Sequence, residues 1–461
     1  MSRVLVVNPP NEPYTDRSLL IEPIDVLTIA SHVKSLGNEV RVVDMDVKQR
    51  TPESISTELD QFNPDFTVVP FDYHIPLFRH EAISGVNRIA RIADSTGSRV
   101  ILGGRTPKHY GEMFLDGTHG VIISGEMEPA LTELLDNEWS DKSLEGVTGV
   151  IYKSNGRLHR TTPRKERFDL NQLPIPDRSL VDMKDYIDVR TLLSSRGCVE
   201  KCGFCPVPEF WGHWKKRDPI KVVDEIEYLA NEFGAQKILF LDDHATVDRK
   251  RMITISDEIV RRGIETMLGC LSTVSRYDPE MIQSMHQAGF RWIHYGAEMA
   301  SQKVLDYMNK GITVDEMKEA IVGTRKAGMR VRTSWIFDAP QADEKALDDT
   351  LSLILETEPE EIRAHYLTLR AGTPFERQAE SRGKSSLPIQ YIHSGSPHSS
   401  FDTLSPEKVL EKVGNLTDEL QNRGYMVVRD PSQFRVFNGD NNSDARVISF
   451  CPLRYGIGWR R

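Results

Sequence analysis

The sequence has few cysteines, no long hydrophobic run and no excess of positive charge, and each of these absences excludes a class of protein. Five cysteines in 461 residues, three of them within eight positions, do not form a disulfide framework; we therefore expect a reducing, cytoplasmic location. No apolar run approaches the ~20 residues that a transmembrane helix needs, and we expect no signal peptide because the first residues already predict a strand. The net charge is −10 without a basic stripe, so we expect neither a nucleic acid nor a membrane as partner.

Hydrophobic residues make up 39% and charged residues 27% of the chain. This composition is typical of soluble globular proteins, and the length predicts on the order of two or three domains. Alternating strand and helix patterns occupy residues 1–142 and again 188–380. Residues 143–187 predict a connector that contains a strand, an Asn-Gly turn and a proline-rich stretch. Residues 381–461 predict a small α+β tail, with a loop over 384–400 and a helix over 406–423.

The most informative stretch holds Cys198, Cys202 and Cys205 at the spacing C-x3-C-x2-C. Thiolates are the soft ligands that bind iron–sulfur clusters and zinc. Three of them can bind three irons of a cubane cluster and leave the fourth iron without a protein ligand. Gly197 and Gly203 allow the backbone to bend tightly around an inorganic core.

Two other interpretations of the cysteines stay open at this point. A closed structural zinc site needs a fourth ligand, for which His213 and His244 are candidates, although neither continues a finger-like spacing. Three unconnected buried thiols are the other alternative.

The cysteine stretch resembles the cluster loop of the radical S-adenosylmethionine (SAM) superfamily, because the aromatic Phe204 precedes the third cysteine. The resemblance implies that Cys198, Cys202 and Cys205 are the catalytic and metal-binding residues of a [4Fe–4S] cluster whose open iron binds SAM. Reduction of this cluster cleaves SAM to a 5′-deoxyadenosyl radical, which takes a hydrogen atom from the substrate. An external low-potential electron donor of the flavodoxin or ferredoxin type is implied as a partner.

Six strand–helix units from residue 188 onward fit the partial (β/α)6 barrel of TIM type that this superfamily has. We predict its strands at 191–195, 237–241, 266–271, 292–295, 330–337 and 362–369. Functional residues of such barrels gather at the carboxyl ends of the strands. The resemblance therefore implies SAM contacts from Phe204, Asp242, Asp243, Ser272, Arg276 and Glu298. Ordinary capped strand ends are the alternative interpretation of the polar ones, and we expect Asp248 to cap the following helix.

Two strand ends depart from the pattern of the family. The fifth strand ends in Asp338-Ala339-Pro340 where the family usually has glycine-x-proline, and Arg370 opens the Arg370-Ala371-Gly372-Thr373-Pro374 segment after the sixth. We predict Asp338, Arg370 and His244 as substrate contacts. A surface ion pair is the alternative for Asp338 and Arg370.

The first 142 residues predict a doubly wound, Rossmann-like parallel sheet, whose ligands bind beyond the carboxyl ends of the strands. We predict five strands, at 3–8, 39–44, 65–70, 99–102 and 121–123. The segments 8–10, 35–40, 101–104 and 124–128 resemble the cobalamin-binding domain of the cobalamin-binding radical SAM family. The resemblance implies cobalamin contacts from Asn8, Pro9, Gly103, Gly104, Gly125 and Glu126. The loop after the first strand lacks the histidine that would ligate cobalt, and His74 is either a corrin-edge residue or a capping one.

Three functions follow from these resemblances, in order of preference. The first is a radical SAM enzyme that uses cobalamin to C-methylate a small polar metabolite. The second is a corrin-free radical SAM enzyme that catalyses cyclisation, rearrangement or carbon–heteroatom bond formation, with or without transfer of another SAM fragment. The third is a non-catalytic iron–sulfur sensor. The domains are then a cobalamin-binding-like domain (1–142), a linker (143–187), a radical SAM barrel (188–380) and a C-terminal extension or lid (381–461).

Overall fold

The computed structural model describes residues 1–10, 21–48, 50–73, 80–365, 367–382, 404–428 and 446–450. The chain forms two compact units, Met1–Ile187 and Asp188–Arg461, and each is built on its own sheet. His74 and the predicted loop at 384–400 lie outside the described residues. Within the described part, none of the helices combines the length and the apolar character that crossing a membrane requires.

The first unit contains a seven-stranded sheet in the order β2-β1-β3-β4-β5-β6-β7. Its strands are β1 (Arg3–Asn8), β2 (Glu39–Asp44), β3 (Phe66–Pro70), β4 (Arg99–Gly103), β5 (Val121–Ile123), β6 (Val150–Ser154) and β7 (Arg157–Arg160). Its helices are α1 (Ile24–Ser35), α2 (Ile55–Phe62), α3 (His80–Ser95), α4 (Arg105–His109), α5 (Gly111–Phe114), α6 (Met127–Leu135) and α7 (Asp141–Glu145). The first five strands are parallel, which confirms the predicted α/β class.

The apolar sequence of β1 reflects its place inside the sheet. Val4, Leu5, Val6 and Val7 are fully buried, as expected of a central parallel strand that has helices over both of its faces. The strand order reverses between β1 and β3. In open α/β sheets with this 2-1-3-4-5 order, the reversal is the point at which ligands bind.

The stretch predicted as a connector is packed as part of the first unit. The strands β6 and β7 extend the sheet in antiparallel fashion. At its far end, Tyr186 Oη donates a 2.8 Å hydrogen bond to Asp44 Oδ2, at the carboxyl end of β2. The proline-rich segment therefore runs along the first unit instead of forming a free spacer.

The second unit contains an eight-stranded parallel sheet in the order β16-β17-β15-β14-β13-β12-β11-β8, and a separate two-stranded ribbon of β9 and β10. The strands are β8 (Arg190–Leu192), β9 (Ser195–Arg196), β10 (Lys215–Lys216), β11 (Lys237–Phe240), β12 (Met267–Thr273), β13 (Phe290–Glu298), β14 (Arg330–Ile336), β15 (Glu361–His365), β16 (Tyr425–Val428) and β17 (Arg446–Phe450). The helices are α8 (Val207–Trp211), α9 (Pro219–Phe233), α10 (Arg249–Arg262), α11 (Pro279–Gln287), α12 (Gln302–Tyr307), α13 (Val314–Lys326), α14 (Glu344–Thr357), α15 (Pro374–Ser381) and α16 (Pro406–Asn422). The six predicted strands are confirmed, and two further parallel strands follow them.

Side chains along β14 alternate between the two faces of the sheet, one packed against the helices and the other facing the inside of the barrel. Val331, Thr333 and Trp335 are fully buried on the face that α-helices cover, whereas Arg332 and Ser334 lie on the opposite face. Successive side chains of a strand point to opposite faces, and the inward ones of a barrel form layers. The predicted N-cap is also confirmed, since the Asp248 side chain accepts a hydrogen bond from the backbone N–H of Arg251.

Candidate active site

The three cysteines of the motif lie on the loop between β9 and α8, at the carboxyl end of the second sheet. All three are free thiols; Cys202 is buried, and Cys198 and Cys205 are half-buried. The backbone N–H of Cys205 donates a 3.1 Å hydrogen bond to the carbonyl of Cys202, which closes a tight turn between them. We refer to residues 197–205 as the cysteine loop.

Distant segments hold the second half of the cysteine loop in place. The Gly203 N–H donates to the carbonyl of Met308 at 2.8 Å, and the Gly203 carbonyl accepts from the N–H of Phe375 at 3.0 Å. Asn309 Nδ2 donates to the Lys201 carbonyl at 2.7 Å. A Cβ at position 203 would lie 2.6 Å from the Phe375 ring, so this close approach requires glycine.

The first half of the loop is fixed by two aspartates that follow β11. Gly197 has φ +84°, and its N–H donates to Asp243 Oδ2 at 3.0 Å. Asp242 is fully buried, and its two oxygens accept from the Ser194 N–H at 2.7 Å, from Ser194 Oγ at 2.5 Å and from Ser195 Oγ at 2.6 Å. Asp242 thus positions the strand before the loop, and Asp243 is the half-buried acid of the predicted pair.

A buried ion pair lies beside the cysteine loop. Lys310 Nζ is 2.6 Å from Glu298 Oε1, and the side chains of both residues are almost completely buried. Lys310 Nζ also lies 5.9 Å from the centroid of the Phe204 ring. Glu298 has φ +66°, where the pairing of β13 with β14 shifts by one residue. Such left-handed conformations of non-glycine residues are costly and are concentrated at functional sites.

The electrostatics of the cysteine loop oppose the ionisation of its thiols. Burial and, to a smaller extent, the neighbouring cysteines raise the pKa of Cys198 and of Cys202 to about 12. Lys310 acts in the opposite direction and lowers the pKa of Cys202. Burial lowers the pKa of Lys310, but Glu298 and Cys202 together raise it above its ordinary value, so Lys310 is charged.

The donor set fits an iron–sulfur cluster. Cys205 raises the pKa of both Cys198 and Cys202. Three thiols this close need a strongly positive centre in order to ionise together, and metal binding supplies that charge while it releases protons. Gly197 and Gly203 have no side chains, which allows the His213 carbonyl and the Phe375 ring to approach the backbone of the loop closely. No three His, Cys, Asp or Glu side chains in the described part of the chain converge as they would on a single metal ion.

The end of β12 is connected to the cysteine loop through Glu200. Ser275 Oγ donates to Glu200 Oε1 at 3.1 Å, and Arg276 Nε lies 3.9 Å from the same oxygen. The predicted SAM contact Arg276 is largely exposed. Ser272 is buried, and its hydroxyl is hydrogen-bonded to Thr246 Oγ1 at 2.5 Å.

The predicted substrate contact His244 has unused hydrogen-bonding capacity. The residue is fully buried, and neither ring nitrogen has a hydrogen-bond partner among the described residues. Burial, and then Arg276 and Lys310, lower the pKa of His244 to about 3. The imidazole is therefore neutral and has one donor and one acceptor nitrogen.

Asp338 and Arg370 do not form a surface ion pair, because Asp338 is buried. Its Oδ1 accepts a 2.6 Å hydrogen bond from the N–H of Leu367, on the loop after β15. Burial raises the pKa of Asp338 to about 7. Arg370 is half-buried, and its charge lowers the pKa of His365, so its side chain lies near that residue.

The residues predicted to bind a cofactor in the first unit lie at the carboxyl ends of β1, β4 and β5. Asn8 Nδ2 donates to Asp44 Oδ1 at 2.9 Å, so its side chain is engaged within the unit. Gly104 has φ +128°, and a Cβ there would lie 1.7 Å from the Phe71 carbonyl oxygen. Gly125 has open space around it, and Glu126 precedes α6. Pro9 and Gly103 are buried beside them.

Residues 192–354 match the family model of the radical SAM superfamily. This segment is a radical SAM domain. The family implies a [4Fe–4S] cluster and SAM as cofactors, and the three cysteines described above lie within the matched segment.

Comparisons over the whole chain extend beyond this domain. An uncharacterized methyltransferase of Pyrococcus horikoshii is 25% identical over 81% of this chain and 81% of its own length. An anaerobic magnesium-protoporphyrin IX monomethyl ester cyclase of Cereibacter sphaeroides is 31% identical over 52% of this chain and 41% of its own length. The solved structure of the radical SAM methyltransferase TsrM from Kitasatospora setae, with cobalamin and a [4Fe–4S] cluster bound, has a TM-score of 0.72 at 19% identity, and the match covers 83% of this chain and 79% of that one.

Sequence reasoning missed two charged residues at this radical SAM site. The pairing of Lys310 with Glu298 depends on tertiary structure, so the sequence did not indicate it. Glu200 lies between two of the cysteines, and this position was the signal that could have identified it. The polar layer of His294, Ser334 and His365 described below was also missed, because its members are on three different strands.

Proposed function

We propose that this protein is a cobalamin-dependent radical SAM enzyme that methylates a carbon atom of a small polar substrate. The observation that carries the proposal is a radical SAM domain preceded by a parallel sheet in the 2-1-3-4-5 order. The likeness to cobalamin-containing TsrM spans 83% of the chain, which is more than either unit contains. The similarity to a methyltransferase of Pyrococcus horikoshii over 81% of both chains supports it further.

The residues of the chain have distinct roles in this proposal. When bound, the [4Fe–4S] cluster supplies the electron that cleaves SAM, and cobalamin carries the methyl group. Cys198, Cys202 and Cys205 hold the cluster, while Asp242 and the backbone contacts of Gly203 fix their loop. Asp243 and the Glu298–Lys310 pair lie beside that loop, where the amino and carboxylate groups of SAM need partners of opposite charge.

The first unit provides the place for the corrin in this proposal. The strand order reverses between β1 and β3, and ligands of such sheets bind at the reversal. Gly104 brings the end of β4 into contact with Phe71, just beyond β3. We propose the backbone of Asn8–Pro9, Gly103–Gly104 and Gly125–Glu126 as the corrin-facing surface.

The electron donor and the location complete the proposal. A one-electron reduction of a low-potential cluster needs a donor of the flavodoxin or ferredoxin type. A reducing cytoplasm is consistent with the free thiols of the described residues.

A second candidate function is radical cyclisation without a methyl transfer. It is favoured by the 31% identity to the Cereibacter sphaeroides cyclase, the higher of the two identities to curated relatives, although that match covers only 41% of the cyclase. In this case the cluster and SAM have the same roles, and the fate of the SAM methyl group differs.

Anaerobic reconstitution with iron, sulfide and cobalamin tests the two candidates. The full-length protein is reduced in the presence of SAM with a CD3 methyl group and a small-molecule extract. Methylation predicts both 5′-deoxyadenosine and S-adenosylhomocysteine, together with a CD3-labelled product. Production of 5′-deoxyadenosine without S-adenosylhomocysteine or label, by protein that binds no corrin, would contradict methyl transfer and favour cyclisation.

A further inference from the structure

Three side chains form a hydrogen-bonded layer inside the second sheet. His294 on β13, Ser334 on β14 and His365 on β15 lie on neighbouring strands and on the face opposite the helix-covered core. His294 Nε2 is 2.7 Å from Ser334 Oγ, and His365 Nε2 is 3.3 Å from the same oxygen. We call these three residues the His–Ser–His layer. Barrel interiors are usually filled by branched apolar side chains, so this polar layer is unusual.

Both ends of the layer have free hydrogen-bonding capacity. Each imidazole uses Nε2 toward Ser334, and no hydrogen bond to either Nδ1 is found among the described residues. All three residues are half-buried, so a part of each remains in contact with solvent. A polar layer that packing neither covers nor satisfies has the properties of a binding surface.

The charges that act most strongly on the layer are positive. Arg332, Arg363 and Lys310 act on His294, and Arg363 and Arg370 act on His365. Arg332 is paired with Glu361 at 2.6 Å, and Lys310 is paired with Glu298 at 2.6 Å. Burial and these cations lower the pKa of both imidazoles, to about 4 for His365. Both imidazoles are therefore neutral, and apart from the layer itself the charges that lower their pKa are those of Arg and Lys side chains.

A neutral His–Ser–His chain has one outward donor. The single Ser334 hydroxyl proton satisfies only one of the two Nε2 atoms, so the other imidazole must donate from Nε2 and has an acceptor at Nδ1. The imidazole that accepts the hydrogen bond from the Ser334 hydroxyl carries its own proton on Nδ1, and this N–H can donate a hydrogen bond to a ligand. An anionic oxygen would receive this hydrogen bond and would gain Coulomb energy from the surrounding cations.

We propose that the His–Ser–His layer binds a carboxylate of the substrate inside the sheet, with the outward N–H of one of its two imidazoles as the contact and Ser334 as the residue that couples the protonation of His294 to that of His365. The inference rests on the proposed function, because it defines the substrate class of that enzyme as a carboxylic acid. It places the bound carboxylate on β13, β14 and β15, between four residues before the end of β13 and the last residue of β15.

Histidine-selective NMR of the full-length protein tests the proposal without turnover. Ring 13Cε1 labelling gives one signal for each of the 13 histidines, and H294Q and H365Q assign the two of interest. The protein is titrated at constant ionic strength with acetate, with acetamide as the neutral analogue of the same size, and with inorganic phosphate. Acetate is expected to shift both signals saturably with a Kd on the order of millimolar, while the signal of His286, on α11, stays in place.

Variants of Ser334 show whether the layer acts as a unit. Ser334→Ala is expected to weaken acetate binding about tenfold, because it removes a hydrogen bond that orients a charged contact, and Ser334→Thr is expected to retain binding. The proposal is overturned by equal shifts with acetamide, by binding of phosphate but not acetate, by the absence of any shift, or by unchanged affinity in Ser334→Ala. Because no cluster, SAM or corrin is needed, failure of this titration leaves the proposed methyl transfer untouched.

Discussion

Lys310 lies among the charges that surround the cysteine loop. Its Nζ is 2.6 Å from Glu298 and 5.9 Å from the centroid of the Phe204 ring, and its charge lowers the pKa of Cys202. A buried ion pair contributes little net stability, but removal of one partner leaves the other charge buried and uncompensated. The pair therefore has two effects, one on the fold and one on the charge beside the cysteine loop.

Lys310→Met is expected to destabilise the cluster-free protein by about 3–5 kcal/mol, because Glu298 stays buried without its partner. Lys310→Arg should reduce the stability much less. The double variant with Glu298→Gln and Lys310→Met should be more stable than Lys310→Met alone. Chemical denaturation measures all three variants. In reconstituted protein, loss of the positive charge should move the midpoint potential of the cluster to more negative values, as measured by a redox titration. Unchanged stability together with an unchanged potential would show that the pair has neither role.

Asp338 makes stability depend on pH. Burial raises its pKa from 3.8 to about 7 in the folded protein, so its protonated form is favoured by folding. Because the folded value is the higher one, this contribution to stability is complete below about pH 4 and is lost as the pH rises to about 7. The slope is at most about 1.4 kcal/mol per pH unit.

Asp338→Asn keeps an oxygen that can accept the hydrogen bond from Leu367 but has no charge to bury. We expect the variant to gain stability relative to the wild-type protein as the pH rises from about 5 to about 7, with a constant difference above that. Urea denaturation of the cluster-free proteins across this range measures the difference. A difference that does not change with pH would mean that Asp338 is ionised throughout.

At the scale of elements, two glycines with positive φ have different surroundings, one in the loop after β9 and one at the end of α9. Gly197 has φ +84°, and a Cβ there would lie 2.5 Å from the carbonyl oxygen of His213. Gly234, at the end of α9, also has a positive φ of 58°, but nothing lies within 4 Å of the position that its Cβ would take. The two sites therefore separate backbone strain from a steric clash.

Gly234→Ala is expected to cost about 1 kcal/mol, the penalty of a left-handed conformation for alanine. Gly197→Ala should cost more, and it should also reduce the iron that the protein takes up, because the His213 carbonyl must move away from the cysteine loop. Chemical denaturation and iron analysis after reconstitution measure both variants. Equal losses of stability and full iron content in both would contradict the steric argument.

Five strands of the first sheet, β1 to β5, and six strands of the second could be predicted because their apolar runs are local signals. The cysteine motif and the strand-end aspartates were visible in the same way, as short patterns of chemically distinct residues. The contacts of Gly203 with Met308 and Phe375 could not be predicted, because more than 100 residues separate it from either partner. Local patterns also do not show which hydrogen bonds the carboxylate of Asp242 accepts. Its hydrogen bonds from Ser194 and Ser195 were therefore found only in the structure.

The strands β16 and β17 illustrate a second limit. They complete the parallel sheet beside β15, yet they are short, and the sequence around them has weak apolar periodicity. A strand at the edge of a sheet is specified mainly by the neighbour it pairs with, and single-sequence patterns do not contain that information.

At the scale of the whole molecule, the chain has two parallel sheets, and each has its own candidate ligand-binding residues at the carboxyl ends of its strands. The cysteines are in the second unit, and the residues proposed to face the corrin are in the first. In such an arrangement, the residues that bind one cofactor are not needed for binding of the other. Iron content and corrin content should therefore respond separately to substitution.

Cys202→Ala removes the most buried thiol of the cysteine loop. We expect this variant to lose its iron and the reductive cleavage of SAM after reconstitution, because two thiolates cannot hold the cluster, and to keep its corrin. Cys270→Ala is the matched control, since Cys270 is fully buried on β12 in the helix-covered core. The control should retain iron, corrin and SAM cleavage and should lose only some stability to the small cavity. Retention of iron by Cys202→Ala would contradict the assignment of the cluster, and joint loss of iron and corrin would contradict the independence of the two sites.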